Sequence, residues 1–169
     1  LKDSDCVFCG ECVQACPVGA LVTTQDCETR IQDKGDTKRV RTTCSYCGVG
    51  CQMVLHVRKD RIAKVTGVEE LGPNYGSLCV KGRFGYDFVH DPGRLTKPLI
   101  REGGSFREAS WDEALNLVAG QFHSIKSKHG ADAIGVLSSA RITNEENYLV
   151  QKFTRAVVGT NNVDHCARL

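Results

Sequence analysis

Thr42-Thr43-Cys44-Ser45-Tyr46-Cys47-Gly48-Val49-Gly50-Cys51, completed by Cys79-Val80-Lys81-Gly82, is the stretch on which the reading of this chain turns. Its cysteines are spaced Cys44-x2-Cys47-x3-Cys51-x27-Cys79, three thiols close together and a fourth that the fold must bring back. A four-iron cubane needs four sulfur ligands arriving from different directions, and a three-plus-one set supplies them. Gly48 and Gly50 between the ligands let backbone amides approach the sulfurs and tune the potential. The spacing predicts a 4Fe-4S site, and with it redox machinery.

A second set, Cys6-x2-Cys9-x2-Cys12-x3-Cys16-Pro17, has the spacing of the bacterial ferredoxin run. In two-cluster ferredoxins the fourth cysteine of such a run serves the other cluster, so a partner run is expected upstream and the chain reads as opening within a larger protein. Without a partner, all four would hold one cluster, and the assignment of Cys16 stays open between the two. Zinc is the competing use of four-cysteine sites. Zinc ribbons pair two separated Cys-x2-Cys knuckles, whereas here one run ends in Cys-Pro and the other is three-plus-one. Ten cysteines arranged mostly as ligand sets indicate metal chemistry in a reducing compartment rather than a disulfide framework. Cys27 fits neither set and is expected to be an ordinary free thiol.

Composition narrows the partners. Net charge is only +2 and aromatic content 7%, which gives no electrostatic case for nucleic acid or a membrane surface. The basic group Lys34, Lys38, Arg39 and Arg41 reads as a solvated linker and strand edge. No apolar run approaches the ~18 residues of a spanning helix. At 169 residues the chain could bury one moderate core, or carry small cluster modules and part of a larger domain; its patterning favours the second.

The expected class is α/β with small cluster modules. Residues 1–25 form a ferredoxin-like half module: a ligand loop, a short helix through Val13-Gln14-Ala15, and an extended Ala20-Leu21-Val22-Thr23. Residues 26–39 are a polar linker. Residues 40–109 are a small β-rich 4Fe-4S domain, with Met53, Leu55 and Val57 alternating with polar residues before a turn at Lys59-Asp60 and a return strand Arg61–Val65. His56 on that alternation reads as a solvated side chain rather than a ligand. A short helix is expected over 80–88, ending before Asp91-Pro92-Gly93.

Residues 110–169 begin an α/β domain that they do not complete. Ser110-x-x-Glu113 has capping-box spacing, and Ala114, Leu115, Val118, Ala119 and Phe122 make an apolar helical face. Ala133–Leu137 reads as a buried parallel strand. Thr143-x-x-Glu146 caps a helix through Val158 that Gly159 ends in the left-handed conformation, and Asn162-Val163-Asp164 begins another strand. The turn Ser138-Ser139-Ala140-Arg141 leaves the carboxyl end of the first strand, where open α/β sheets bind ligands, and offers a phosphate cradle with Arg141.

The Thr42–Cys51 stretch with Cys79-Val80-Lys81-Gly82 resembles the N-terminal cluster domain of molybdenum or tungsten oxidoreductases that bind two pyranopterin guanine dinucleotides. Gly159–Leu169, with its Asn162-Val163-Asp164-His165-Cys166-Ala167-Arg168 core, looks more narrowly like formate dehydrogenase catalytic (alpha) subunits. The resemblance implies 4Fe-4S clusters on Cys6, Cys9, Cys12 and Cys16 and on Cys44, Cys47, Cys51 and Cys79, and a molybdenum or tungsten bis-pterin centre. It also implies that Lys81 lies between cluster and pterin as an electron relay; Arg141 is a pterin-binding candidate from its place in the strand-end phosphate cradle, not from the resemblance. Formate and carbon dioxide are the implied substrate pair; diaphorase, hydrogenase or ferredoxin-like subunits are the implied electron partners, in the cytoplasm. In the resembled enzymes a selenocysteine or cysteine that ligates the metal, then a His, follow the position of Leu169. An end at Leu169 is what a UGA codon read as termination would produce, and this places Cys166 four positions before the ligand, outside the chemistry. Two other readings remain: a nitrate-reductase-type bis-pterin enzyme, which the 162–168 ending disfavours, and a non-catalytic cluster relay like the large iron-sulfur subunit of respiratory complex I.

Overall fold

The computed structural model describes residues 3–24 and 37–166. Cys27, Lys34 and the Ala167–Leu169 end lie outside them. The chain divides into two compact units, Leu1–Pro92 with Arg141–Asn144, and Gly93–Ala140 with Glu145–Leu169.

The first unit is built on a three-stranded antiparallel sheet in the order β1 (Lys38–Thr43), β2 (Gln52–Arg58), β3 (Arg61–Gly67). Thr43 pairs with Gln52 and Met53 with Gly67, with a register shift at His56/Val57. The β2–β3 hairpin turns at Lys59 and Asp60, both at positive φ (48° and 57°), the backbone hand that matches strand twist in a two-residue turn. The sheet begins earlier than expected, at Lys38 rather than Val40. His56 Nε2 lies 3.0 Å from Thr66 Oγ1 on β3, so its ring ties two strands together. Val65, Val68 and Leu78 form the small core with Cys44.

Among the described residues, two short helices sit around this sheet, α1 (Glu11–Ala15) and α2 (Val80–Phe84). The helix expected over 80–88 instead stops at Gly85 and resumes as a 3-10 turn over Asp87–His90. The cause is local: Tyr46 donates its hydroxyl to the Gly85 carbonyl, and a Cβ on Gly85 would meet Tyr46 Oη at 2.6 Å. Residues 20–23, expected to be extended, form no strand, because the chain there curls so that backbone amides face Cys16.

The second unit opens with a hairpin, β4 (Leu99–Glu102) and β5 (Ser105–Glu108), turned at Gly103-Gly104 with φ of 57° and 89°. Helix α3 (Trp111–His129) follows, capped by Ser110 Oγ accepting from the Glu113 amide at 3.1 Å. Arg107 joins hairpin to helix, bonding Glu102 (2.7 Å) and Glu113 (2.5 Å). Those bonds hold both carboxyls below the ordinary range. A 3-10 turn at Ala131–Ala133 precedes β6 (Val136–Ser138), which pairs in parallel with β7 (Val163–His165). Helix α4 (Asn144–Lys152) runs into a π-helical segment, Phe153–Val158. Thr154, fully buried, donates its hydroxyl to the Val150 carbonyl at 2.8 Å, a back-bond that loosens the α-helical ladder. Gly159 ends the segment at φ 87°, its amide returning to the Thr154 carbonyl at 2.9 Å.

Candidate metal centres

Cys44 follows β1 and Cys51 precedes β2, and the Cys44 amide bonds the Cys51 carbonyl at 2.8 Å. The sheet thus closes the ligand loop at its base. Asn74 then imitates a strand partner: its Oδ1 accepts from Gln52 N (2.8 Å), while its Nδ2 donates to the carbonyls of Gln52 (3.1 Å) and Ser77 (2.8 Å). This ties the Cys51 end of the loop to the segment leading into Cys79. Tyr46, inside the loop, reaches Gly85 beyond α2 and packs edge-on against Phe88 at 6.3 Å.

The four sulfurs of this set feel one another. Burial pushes the Cys44 thiol up, with the charges of Cys79 and Cys47 adding to it, while the Tyr46 amide and, more weakly, Lys81 oppose them. Burial first, then Cys44, Cys47 and Cys79, push Cys51 up. Four thiolates in mutual range are unfavourable without cationic metal among them, and metal binding supplies it while releasing their protons. Among the described residues no three Cys, His or carboxylate groups close on a single ion-sized point. Lys81 is exposed on the first turn of α2, and with Tyr46, Met53 and Phe88 it lines a cavity of ≈ 240 Å³.

In the other set, Cys6 and Cys12 line a cavity of ≈ 430 Å³ with Phe8, Val13, Val80 and Phe84. Cys9 and Cys16 are half-buried and do not line it. Cys16 Sγ accepts from Ala20 N at 3.3 Å. Amides of Leu21, Ala20 and Val18 hold its thiol below the ordinary value, a pocket suited to an anionic sulfur.

Sequence reasoning missed the residues between the two sets. Arg83, only 6% exposed, donates from Nε to the Cys9 carbonyl (2.7 Å) and from Nη1 to Gln14 Oε1 (2.6 Å), and pairs through Nη2 with Glu11. Glu11 also accepts from Leu78 N at 3.0 Å and Ser77 Oγ at 3.3 Å. Burial works against the Glu11 carboxylate, but the Leu78 amide and the Arg83 charge outweigh it and hold the carboxyl low. The one available signal was Gly10, flanked by Cys9 and Glu11: at φ 78°, its missing Cβ would lie 2.5 Å from Arg83 Cδ.

In the second unit, Ser138 Oγ is bonded to Asn147 Oδ1, and Asn147 Nδ2 donates to the Ser139 carbonyl at 3.1 Å. These groups hold the β6–α4 turn. Arg141 is exposed on the segment grouped with the first unit. Cys166 is exposed, its Sγ 3.4 Å from both Ser139 Oγ and Ala140 N.

Three family models match the chain: a 4Fe-4S binding domain over residues 2–22, the molybdopterin oxidoreductase Fe4S4 domain over 37–91, and molybdopterin oxidoreductase over 94–169. The last two leave only Pro92 and Gly93 unmatched from residue 37 onward. Among curated relatives, the chain is 39% identical to "Probable oxidoreductase YjgC" of Bacillus subtilis and 38% identical to "Putative formate dehydrogenase SAR2393" of Staphylococcus aureus strain MRSA252. Each match covers 99% of this chain and 21% of the relative, so the chain spans about a fifth of their length. Among the described residues no helix is long and apolar enough to cross a membrane.

Proposed function

The chain belongs to the molybdopterin oxidoreductase family, and from that membership we propose that it is the electron-exit portion of a formate dehydrogenase catalytic subunit. The observation that carries the reading is the set Cys44, Cys47, Cys51 and Cys79, whose loop is closed by the Cys44–Cys51 backbone bond and tied by Asn74 to the segment entering Cys79, within the stretch matched by the Fe4S4 domain. Those four cysteines would hold one 4Fe-4S cluster, and Cys6, Cys9, Cys12 and Cys16 would supply the ferredoxin-type ligands. When bound, the molybdenum or tungsten bis-pterin centre supplies the two-electron oxidation of formate to carbon dioxide, and its reverse.

The residues present have narrower tasks. Lys81 places a cation beside the sulfurs, which lowers the cost of adding an electron to an anionic cluster. Tyr46 and Asn74 fix the ligand loop, and the small core of Val65, Val68 and Leu78 keeps water from its inner side. Arg141 is offered as a contact to a pterin dinucleotide phosphate. Formate as substrate is supported by the name of the Staphylococcus aureus relative and by the Gly159–Leu169 resemblance. Onward electron transfer runs to a diaphorase, hydrogenase or ferredoxin-like partner.

The test is formate-dependent reduction of a viologen dye by the complete protein purified anaerobically, with molybdenum, tungsten and pterin measured on the same sample. Dye reduction with stoichiometric metal is the expected result. Iron-sulfur absorbance with neither pterin nor metal, and no response to formate, would replace the enzyme with a cluster relay.

A further inference from the structure

Arg83 joins residues that belong to both ligand sets, and to little else. Its backbone amide bonds the Cys79 carbonyl at 3.0 Å, so it sits one helical turn after a ligand of one set. Its guanidinium ends on Cys9, a ligand of the other, on Glu11 between Cys9 and Cys12, and on Gln14 between Cys12 and Cys16. Those two side chains return to the approach to Cys79: Glu11 to Ser77 and Leu78, and Gln14 Nε2 to the Gly76 carbonyl at 3.0 Å. The result is a closed ring of hydrogen bonds that fixes one ligand loop against the other.

An ion pair buried on the arginine side alone, with the Glu11 carboxylate 38% exposed, is a poor way to gain stability, since desolvation of the one partner and solvent screening of the other offset most of the attraction. What it does supply is a single geometry, because a planar fork satisfies its acceptors in one orientation. Electron tunnelling falls steeply with separation, so a joint holding one geometry matters most between two redox centres. Gly10, whose Cβ would collide with Arg83 Cδ, keeps that approach open.

We propose that Arg83 is a positioning residue for electron transfer between the two clusters: through Cys9, Glu11 and Gln14 it sets their spacing. The step it serves is a one-electron exchange in which one cluster is oxidised as the other is reduced, with no bond or proton moved. This rests on the reading of the two cysteine sets as cluster ligands.

The test uses the complete enzyme, purified anaerobically, as wild type, Arg83→Met, Arg83→Lys and Gln14→Leu. Iron per chain and the EPR signals of the wild type establish first that both clusters are present; absence of either overturns the underlying ligand reading, and the proposal with it. In Arg83→Met, with iron retained, magnetic coupling between the two clusters should weaken, and rapid-freeze transfer between them should slow about ten- to hundredfold. Arg83→Lys, which keeps the charge and loses the fork, should not restore the coupling. Wild-type coupling and rate in Arg83→Met overturn the proposal. If that variant loses iron, Gln14→Leu, which leaves Arg83 paired with Glu11, decides: weakened coupling supports the role, and unchanged coupling ends it.

Discussion

The Lys81 ammonium joins the Tyr46 amide in easing charge on the Cys44 sulfur, against burial and the neighbouring Cys79 and Cys47. The side chain is exposed, so water screens it, and the effect on an adjacent cluster is on the order of tens of millivolts. Lys81→Met is therefore expected to lower the midpoint potential of the Cys44/Cys47/Cys51/Cys79 cluster by that amount, because the reduced cluster loses a stabilising cation. Lys81→Arg should leave it near the wild-type value. A redox titration followed by EPR checks this, and equal potentials in all three proteins would remove Lys81 from the electrostatics of the site. Lys81 could be picked out in the sequence because it stands two positions beyond a ligand. Arg83, two positions further, could not. Nothing in a five-residue helix signals that an arginine is 6% exposed, and its partners Glu11 and Gln14 are some seventy residues away. Periodicity reports which face of an element is apolar, but it is silent on a charge buried against distant charges.

At the scale of elements, the closest backbone approach to any glycine among the described residues is between the end of β3 and the loop that leads to Cys79. A Cβ on Gly67 would lie 1.8 Å from the Gly76 carbonyl oxygen and 2.4 Å from its carbon. Both are backbone atoms, so no rotamer change relieves the contact, and the loop itself must move. Gly67→Ala is expected to destabilise the first unit by about 3 kcal/mol or more and to reduce the iron bound by the Cys79 set. Melting temperature and iron content of the purified variant report the two effects, and a wild-type melt would show that the strand and loop separate freely. The β2–β3 hairpin was readable because alternation of Met53, Leu55 and Val57 and the Lys59-Asp60 turn agree. The Ser110 cap was readable for the same reason, a local rule with a local partner. The β4–β5 hairpin went unread although Gly103-Gly104 marks its turn, because its two four-residue strands are mostly exposed and carry little alternation. The π-helical end of α4 depends on the Thr154 hydroxyl turning back to Val150, a choice the sequence leaves open.

The two units differ in how far they bury their own apolar surface. In the second, the apolar face on α3 is recognisable from sequence, yet none of that helix is buried, and Leu115 is 59% exposed. Its parallel sheet has two strands of three residues each, and Leu137, expected in a buried strand, is 86% exposed. Among the described residues from 110 onward, only Ile134, Val158, Thr154 and Thr160 are closed off. Between α3 and the π-helical segment lies an apolar cavity of ≈ 440 Å³ lined by Leu115, Val118, Phe122, Ile134, Phe153 and Val157. A parallel sheet is stable when both faces are covered, and a segment this small cannot offset its chain entropy while so much apolar surface stays wet. Residues 110–169 in isolation are therefore expected to lack cooperative unfolding, to give a shallow thermal trace by circular dichroism, and to bind dyes that seek exposed apolar surface. The same residues in the complete protein should melt with the rest of the α/β domain. A sharp, reversible transition of the isolated segment would mean that the exposed faces of α3 and β6 need no further chain to cover them.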